Sequence, residues 1–181
     1  MWFFRFRKIT PISAILGPAA TAPVKPGAAP TFAGALVGSS VIVSGTVSAR
    51  TEVTFGPSGD KAIWYSATYE SQGRGDRGSR NLWMFDHLDR QQGGFFIDDG
   101  TGRIYVPVQP TQMDIRGGHH VYGEIGRTGK ERYSTYLLRD GDSLRLHGVV
   151  DKPSGKEPRD TLVLRAAEGG VLFGLATPRR S

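Results

Sequence analysis

The sequence predicts an all-β domain, an antiparallel barrel or sandwich with an OB-like barrel among the options, behind a flexible N-terminal tail. Three observations carry this. Gly (25) and Pro (11) are abundant among 181 residues, yet 38% hydrophobic and 10% aromatic residues exclude wholesale disorder. From Ser39 onward, β-branched and aromatic runs are broken by Gly, Asp and Pro. No amphipathic helical pattern of useful length interrupts them.

Residues 1–35 read as a basic aromatic tail followed by an Ala/Pro/Gly linker from Gly17 to Gly34. In the tail, Trp2, Phe3, Phe4 and Phe6 interleave with Arg5, Arg7 and Lys8. That composition suits a headgroup boundary or a partner surface. The uncharged run from Ile9 to Val24 contains Pro11, Pro18 and Pro23, and it falls short of the ~20 apolar residues of a spanning helix. No transmembrane helix is expected. The basic start, the run Ile12 to Leu16 and Ala20-Thr21-Ala22 imitate a signal peptide, but the apolar run is short and proline-broken. The expected location is therefore cytoplasmic or at a peripheral membrane face. Secretion or a periplasmic location is the alternative if residues 1–22 are a signal peptide.

Residues 36–177 read as the folded body and 178–181 as a short basic tail. Strands are expected at Ser39 to Ser48, Lys61 to Glu70, Phe95 to Asp98, Arg103 to Val108, Arg132 to Leu138, Ser143 to Val150, Thr161 to Ala166 and Val171 to Leu175. In the second of these, Ile63, Tyr65, Ala67 and Tyr69 alternate with Trp64, Ser66, Thr68 and Glu70, so each set shares a face. By the same rule Ile104, Val106 and Val108 point inward, as do Leu144, Leu146 and Val150, leaving Arg145 and His147 outside. Asp98-Asp99-Gly100-Thr101-Gly102 lies between two apolar runs and predicts a hairpin, its glycines supplying positive φ. Such a succession of short strands suits an antiparallel barrel or sandwich.

The formal net charge of +6 belongs to the ends. Residues 1–35 hold Arg5, Arg7, Lys8 and Lys25 with no acidic residue, and Arg179 and Arg180 close the chain. The other 17 basic residues face all 17 acidic ones, so the body is neutral. A phosphate-binding domain concentrates cations on its folded face; this body has no such excess.

The chemical motifs fail one by one. There is no cysteine, which excludes disulfides, thiolate zinc sites and Cys nucleophiles. Gly126-Arg127-Thr128-Gly129-Lys130 imitates the end of a phosphate-binding loop, but Glu124 stands where its first glycine belongs and Glu131 replaces the hydroxyl residue. Gly56-Pro57-Ser58-Gly59 is one position short of a nucleophile elbow. Asp98 and Asp99 are adjacent, as are His119 and His120, and neighbours on a strand point to opposite faces. A metal or catalytic site would require Asp114, His119, His120 and His147 to converge. No metal, cofactor or catalytic residue is expected. The polar loop Ser71 to Arg80 gathers Arg74, Arg77 and Arg80 near Trp64, Tyr69, Trp83 and Phe85, a candidate stacking and cationic surface for single-stranded nucleic acid. Asp76 dilutes its charge, so a solvated loop is the favoured reading.

Taken in order, Gly45-Thr46-Val47-Ser48, Gly56-Pro57-Ser58-Gly59, Ala62-Ile63-Trp64-Tyr65, Glu70, Trp83 and Phe96-Ile97-Asp98-Asp99-Gly100-Thr101-Gly102-Arg103-Ile104-Tyr105-Val106 resemble the GIDE domain. Glu131 to Leu138 and Gly141-Asp142-Ser143-Leu144-Arg145-Leu146-His147-Gly148-Val149 continue the match, which runs from about Leu36 to Thr177. The GIDE domain is the beside-a-membrane domain of membrane-anchored RING-type ubiquitin ligases and has bacterial relatives. The resemblance implies recognition or scaffolding. It transfers no ligase activity, because the RING needs cysteines and this chain has none; the family's mode of membrane attachment is not transferred either, because its flanking transmembrane helices have no counterpart here. The sequence thus predicts a non-catalytic interaction module for a protein partner, tethered to a membrane surface or larger assembly through Trp2 to Lys8. Single-strand nucleic-acid binding through an OB-like barrel and the loop 71–80 is the alternative.

Overall fold

The computed structural model describes residues 8–17, 32, 34–73, 82–109, 113–168 and 170–179. Among the described residues the fold is all-β with one helical turn. Five strands close a barrel: β1 (Ser40–Ala49), β6 (Phe95–Asp98), β7 (Arg103–Val106), β12 (Val163–Arg165) and β11 (Ser143–Asp151), which pairs back onto β1. Every pairing in the ring is antiparallel except that of β7 with β12. An order of first, second, third, fifth and fourth barrel strand, with the third and fifth parallel, is that of an OB barrel.

Inward alternation fills the barrel. Val43, Val47, Ile97, Ile104, Leu146, Val150 and Leu164 share one buried core, brought opposite one another by pairs such as Val43 with Leu146 and Ile97 with Ile104. β1 serves two neighbours, β11 through Thr46 and β6 from Thr46 onward. Where it turns from one to the other, a Cβ on Gly45 would stand 2.2 Å from the Asp98 carbonyl oxygen. Only glycine permits that approach. Outside the ring, β13 (Leu172–Thr177) pairs with β11, and β8 (Met113–Gly117) runs parallel to β13.

Two excursions from the barrel build a second sheet. The connection from β1 to β6 holds β2 (Val53–Phe55), β3 (Asp60–Ala62), β4 (Trp64–Gly73) and β5 (Leu82–Gln92); the connection from β7 to β11 holds β8, β9 (His119–Ile125) and β10 (Glu131–Leu138). Pairing of β4 with β10 joins them in the antiparallel order β5-β4-β10-β9. The β2–β3 hairpin covers one face of this sheet. Phe55 meets the rings of Tyr65 and Tyr133 edge-on, each centroid 5.1 Å away, and Ala67 and Leu137 complete this smaller core.

Residues Lys61 to Glu70 do not form one strand. The chain bends at Ile63, whose N–H donates to the Leu138 carbonyl, so Ile63 and Trp64 enter the barrel core while Tyr65 and Ala67 enter the second. Val108 does not point inward either. The ladder stops at Val106 because Pro107 has no N–H to continue it, and Val108 is left 58% exposed.

The run Ile12 to Leu16 forms helix α1, and Ile12 and Ile15 are wholly buried in the barrel core. Asp98 to Gly102 makes the expected hairpin turn, with Gly100 at φ 81°. At the other terminus, the Arg179 N–H donates to Asp142 Oδ1 at 2.9 Å.

Candidate interaction surface

The four-stranded sheet has one covered face and one open one. Residues on the open face follow from register. Ser66 lies between Arg90 and Tyr136, with His120 beyond; Thr68 lies between Leu88 and Ser134, with Tyr122 beyond; Glu70 lies between Phe85 and Arg132, with Glu124 beyond. The register shifts between Tyr69 and Glu70, leaving Asp86 opposite no β4 residue and turning Phe85 to this face.

The apolar side chains here are conspicuously uncovered: Phe85 is 65% exposed, Tyr122 56%, Leu88 46% and Tyr136 44%. Between them runs a floor of hydroxyls. Ser134 Oγ hydrogen-bonds with His120 Nε2 at 2.9 Å, and Arg90 Nε donates to Ser66 Oγ at 3.3 Å. The His120 ring leans on Tyr136 with centroids 4.8 Å apart. Arg132 Nε donates to Glu70 at 2.6 Å while its guanidinium lies 4.1 Å from the Trp83 ring centroid. The hydrogen bond to Glu70 is the main reason the guanidinium is held above its ordinary value, so it stays charged. Among the described residues of this face, Arg90 and Arg132 are matched in number by Glu70 and Glu124, and Arg132 pairs with Glu70.

The opposite face is structural. Tyr65 Oη donates to Asp89 at 2.7 Å, and burial, then this bond and the charge of Asp89, push the phenol above its usual range. Tyr69 stacks on His87 with centroids 4.4 Å apart. Tyr69 and His87 line a cleft of about 200 Å³ together with Glu70, Asp86, Ile125, Glu131 and Arg132. That is smaller than the ~300–1,000 Å³ of common small-molecule sites.

The histidines and Asp114 do not gather. His119 Nε2 bonds to Asp142 Oδ1 at 2.9 Å, and the same buried carboxylate accepts the N–H groups of Arg139 and Arg179, a junction between β9, the β10–β11 turn and the C-terminal segment. His120 lies on the open face. His147 Nε2 bonds to Ser40 Oγ at 2.7 Å on the outside of the barrel. Asp114 stands two strands from His147, opposite Phe173, which at the usual spacing is about 10 Å. Among the described residues no group of three or more His, Cys, Asp or Glu is arranged to hold a metal ion.

Of the residues singled out in the sequence, Trp2, Phe3, Phe4, Arg5, Phe6 and Arg7 lie outside the described residues, as do Arg74, Arg77 and Arg80; Lys8 is described and exposed. Sequence reasoning missed Tyr122 and Leu88, since neither β9 nor β5 was expected as a strand. Tyr136 was within reach, because Arg132, Ser134 and Tyr136 alternate against the buried Tyr133, Thr135 and Leu137. Comparison with protein-family models, with curated proteins and with solved structures yields no match to this chain.

Proposed function

We propose that this chain is a non-catalytic interaction module that docks a protein partner on the open face of the β5-β4-β10-β9 sheet. One observation carries the reading: Leu88 with Phe85 and Tyr122 with Tyr136 stand exposed on one face of a sheet, flanking Thr68 and Ser134, while its other face is packed. Apolar side chains clustered in this way mark interaction surfaces, and tyrosines with a polar rim are typical of protein interfaces. The matched charges of the face favour a protein over a polyanion. The resemblance to the GIDE domain supports the same scaffolding role, and the segment Trp2 to Lys8 would hold the module at a membrane surface or larger assembly. Affinity capture with the full chain and with Tyr122→Ser/Tyr136→Ser tests the docking face. A partner retained by the first and lost by the second supports it; equal recovery by both, with folding intact, contradicts it.

A second reading rests on Arg132 stacked over Trp83 beside the exposed aromatics, an arrangement that also suits stacked bases. It predicts binding to single-stranded oligonucleotides that weakens steeply with salt. The triple variant Arg74→Ala, Arg77→Ala, Arg80→Ala should weaken it further, and binding that survives both changes argues against this reading.

A further inference from the structure

The turn Asp98 to Gly102 does more than reverse the chain. Asp99 Oδ2 accepts the Ile12 N–H at 2.8 Å, while Oδ1 accepts the Thr101 N–H at 2.9 Å, the Thr101 hydroxyl at 2.7 Å and the Gly102 N–H at 3.2 Å. Thr101 Oγ1 in turn accepts the Ser13 N–H at 3.1 Å. The first amides of a helix have no partner within it, and here two of them are met by a turn almost ninety positions away. Below these bonds Ile12 and Ile15 are fully buried in the barrel core. A Cβ on Gly102 would lie 2.9 Å from Leu16 Cδ1 and 3.2 Å from Ile12 Cγ2, so the absence of a side chain at 102 makes room for this segment. Main-chain bonds fix it at both ends: Thr10 N–H to the Ile42 carbonyl at 2.8 Å, and Leu36 N–H to the Ile15 carbonyl at 3.0 Å.

A five-residue helix has no stability of its own in water; its order comes from the barrel. The chain leaves this site at Gly17 and returns beside it, a Cβ on Gly17 standing 2.8 Å from the Gly34 carbonyl. We infer that this end of the barrel is a peptide-binding socket whose ligand is the chain's own segment Lys8 to Gly17. The ligand class is a short apolar turn of the form Ile-x-x-Ile-Leu whose leading amides are received by Asp99 and Thr101. The segment is then a retained part of the folded domain. Removal of residues 1–22 as a leader would empty the socket.

The test uses the full chain with a protease site inserted between residues 18 and 31. After cleavage, the N-terminal fragment co-elutes with the barrel in gel filtration at micromolar concentration. Release of the fragment with the remainder melting within about 1 °C of the uncut protein would overturn the inference. In the cut protein, a labelled peptide of residues 8–17 exchanges into the socket, whereas the same peptide carrying Ile12→Asp and Ile15→Asp binds at least tenfold more weakly. Equal binding of the two peptides, or none by either after the cut fragment has been removed, also overturns it. Asp99→Ala and Thr101→Ala, made separately so that one folded variant suffices, should each lower retention of the cut fragment; unchanged retention contradicts the assigned contacts. Elution of the uncut chain as a dimer that cleavage dissociates would assign the segment to a second copy instead.

Discussion

Asp99 accepts the amide hydrogen of Ile12 at 2.8 Å, joining a hairpin turn of the barrel to a segment 87 positions earlier in the chain. Burial raises the Asp99 carboxyl, but the hydrogen bonds from Ile12, Thr101 and Gly102 outweigh it and hold it below its ordinary value. A carboxyl lowered in the folded state contributes stability that is present above its unfolded value, about 3.9, and lost as pH falls through the folded value. The thermal stability of the wild type should therefore fall below about pH 4, in part through this group. Asp99→Asn should show a shallower loss over that window, as read from melting temperature against pH.

Ile15→Ala removes a fully buried side chain that α1 places in the barrel. Such truncations cost about 2–5 kcal/mol, which for a domain of this size lowers the melting temperature by roughly 5–15 °C. A change below about 1 °C would show that α1 does not contribute to the core.

Gly45→Ala drives a Cβ into the Asp98 carbonyl. The obstacle is main chain, so the strand must shift; a loss of about 1–3 kcal/mol in chemical denaturation is expected. Gly56→Ala, where an added Cβ meets nothing within 4 Å, is the control.

Phe55→Ala empties the centre of the smaller core, where the ring touches Tyr65 and Tyr133. Local stability should fall by about 3–5 kcal/mol. Hydrogen exchange should speed up in β4 and β10 more than in the barrel pair β1 and β11, because the two cores are separate clusters. Uniform acceleration would mean that they open as one unit.

The barrel was legible in the sequence where one face of a strand is buried. Phe95 to Asp98 and Ser143 to Val150 alternate cleanly because each lines the core, and their strands fall close to the expected limits. β5 was not legible. Leu82, Met84, Phe85 and Leu88 are apolar yet exposed, and the shift at Asp86 breaks period-two alternation. β9 was hidden for a related reason: Val121, Gly123 and Ile125 are only partly covered, so its pattern is weak. Ile12 to Leu16 reads as part of a tail because four apolar residues around Ser13, set between prolines, carry no local signal of burial. Their partner, Asp99, is distant in the chain and was explained by its hairpin alone. The open face depends on pairing of β4 with β10 across two excursions, a relationship set by tertiary register.

Docking of a protein partner on the open sheet face can be read by cross-linking. Its most direct measurement places a photo-activated cross-linking residue at Tyr122, on that face, and separately at Lys61, on the covering hairpin, in cells expressing the full chain. One discrete cross-linked protein is expected from position 122 and none from position 61. Discrete products from position 61 with none from position 122 would contradict it.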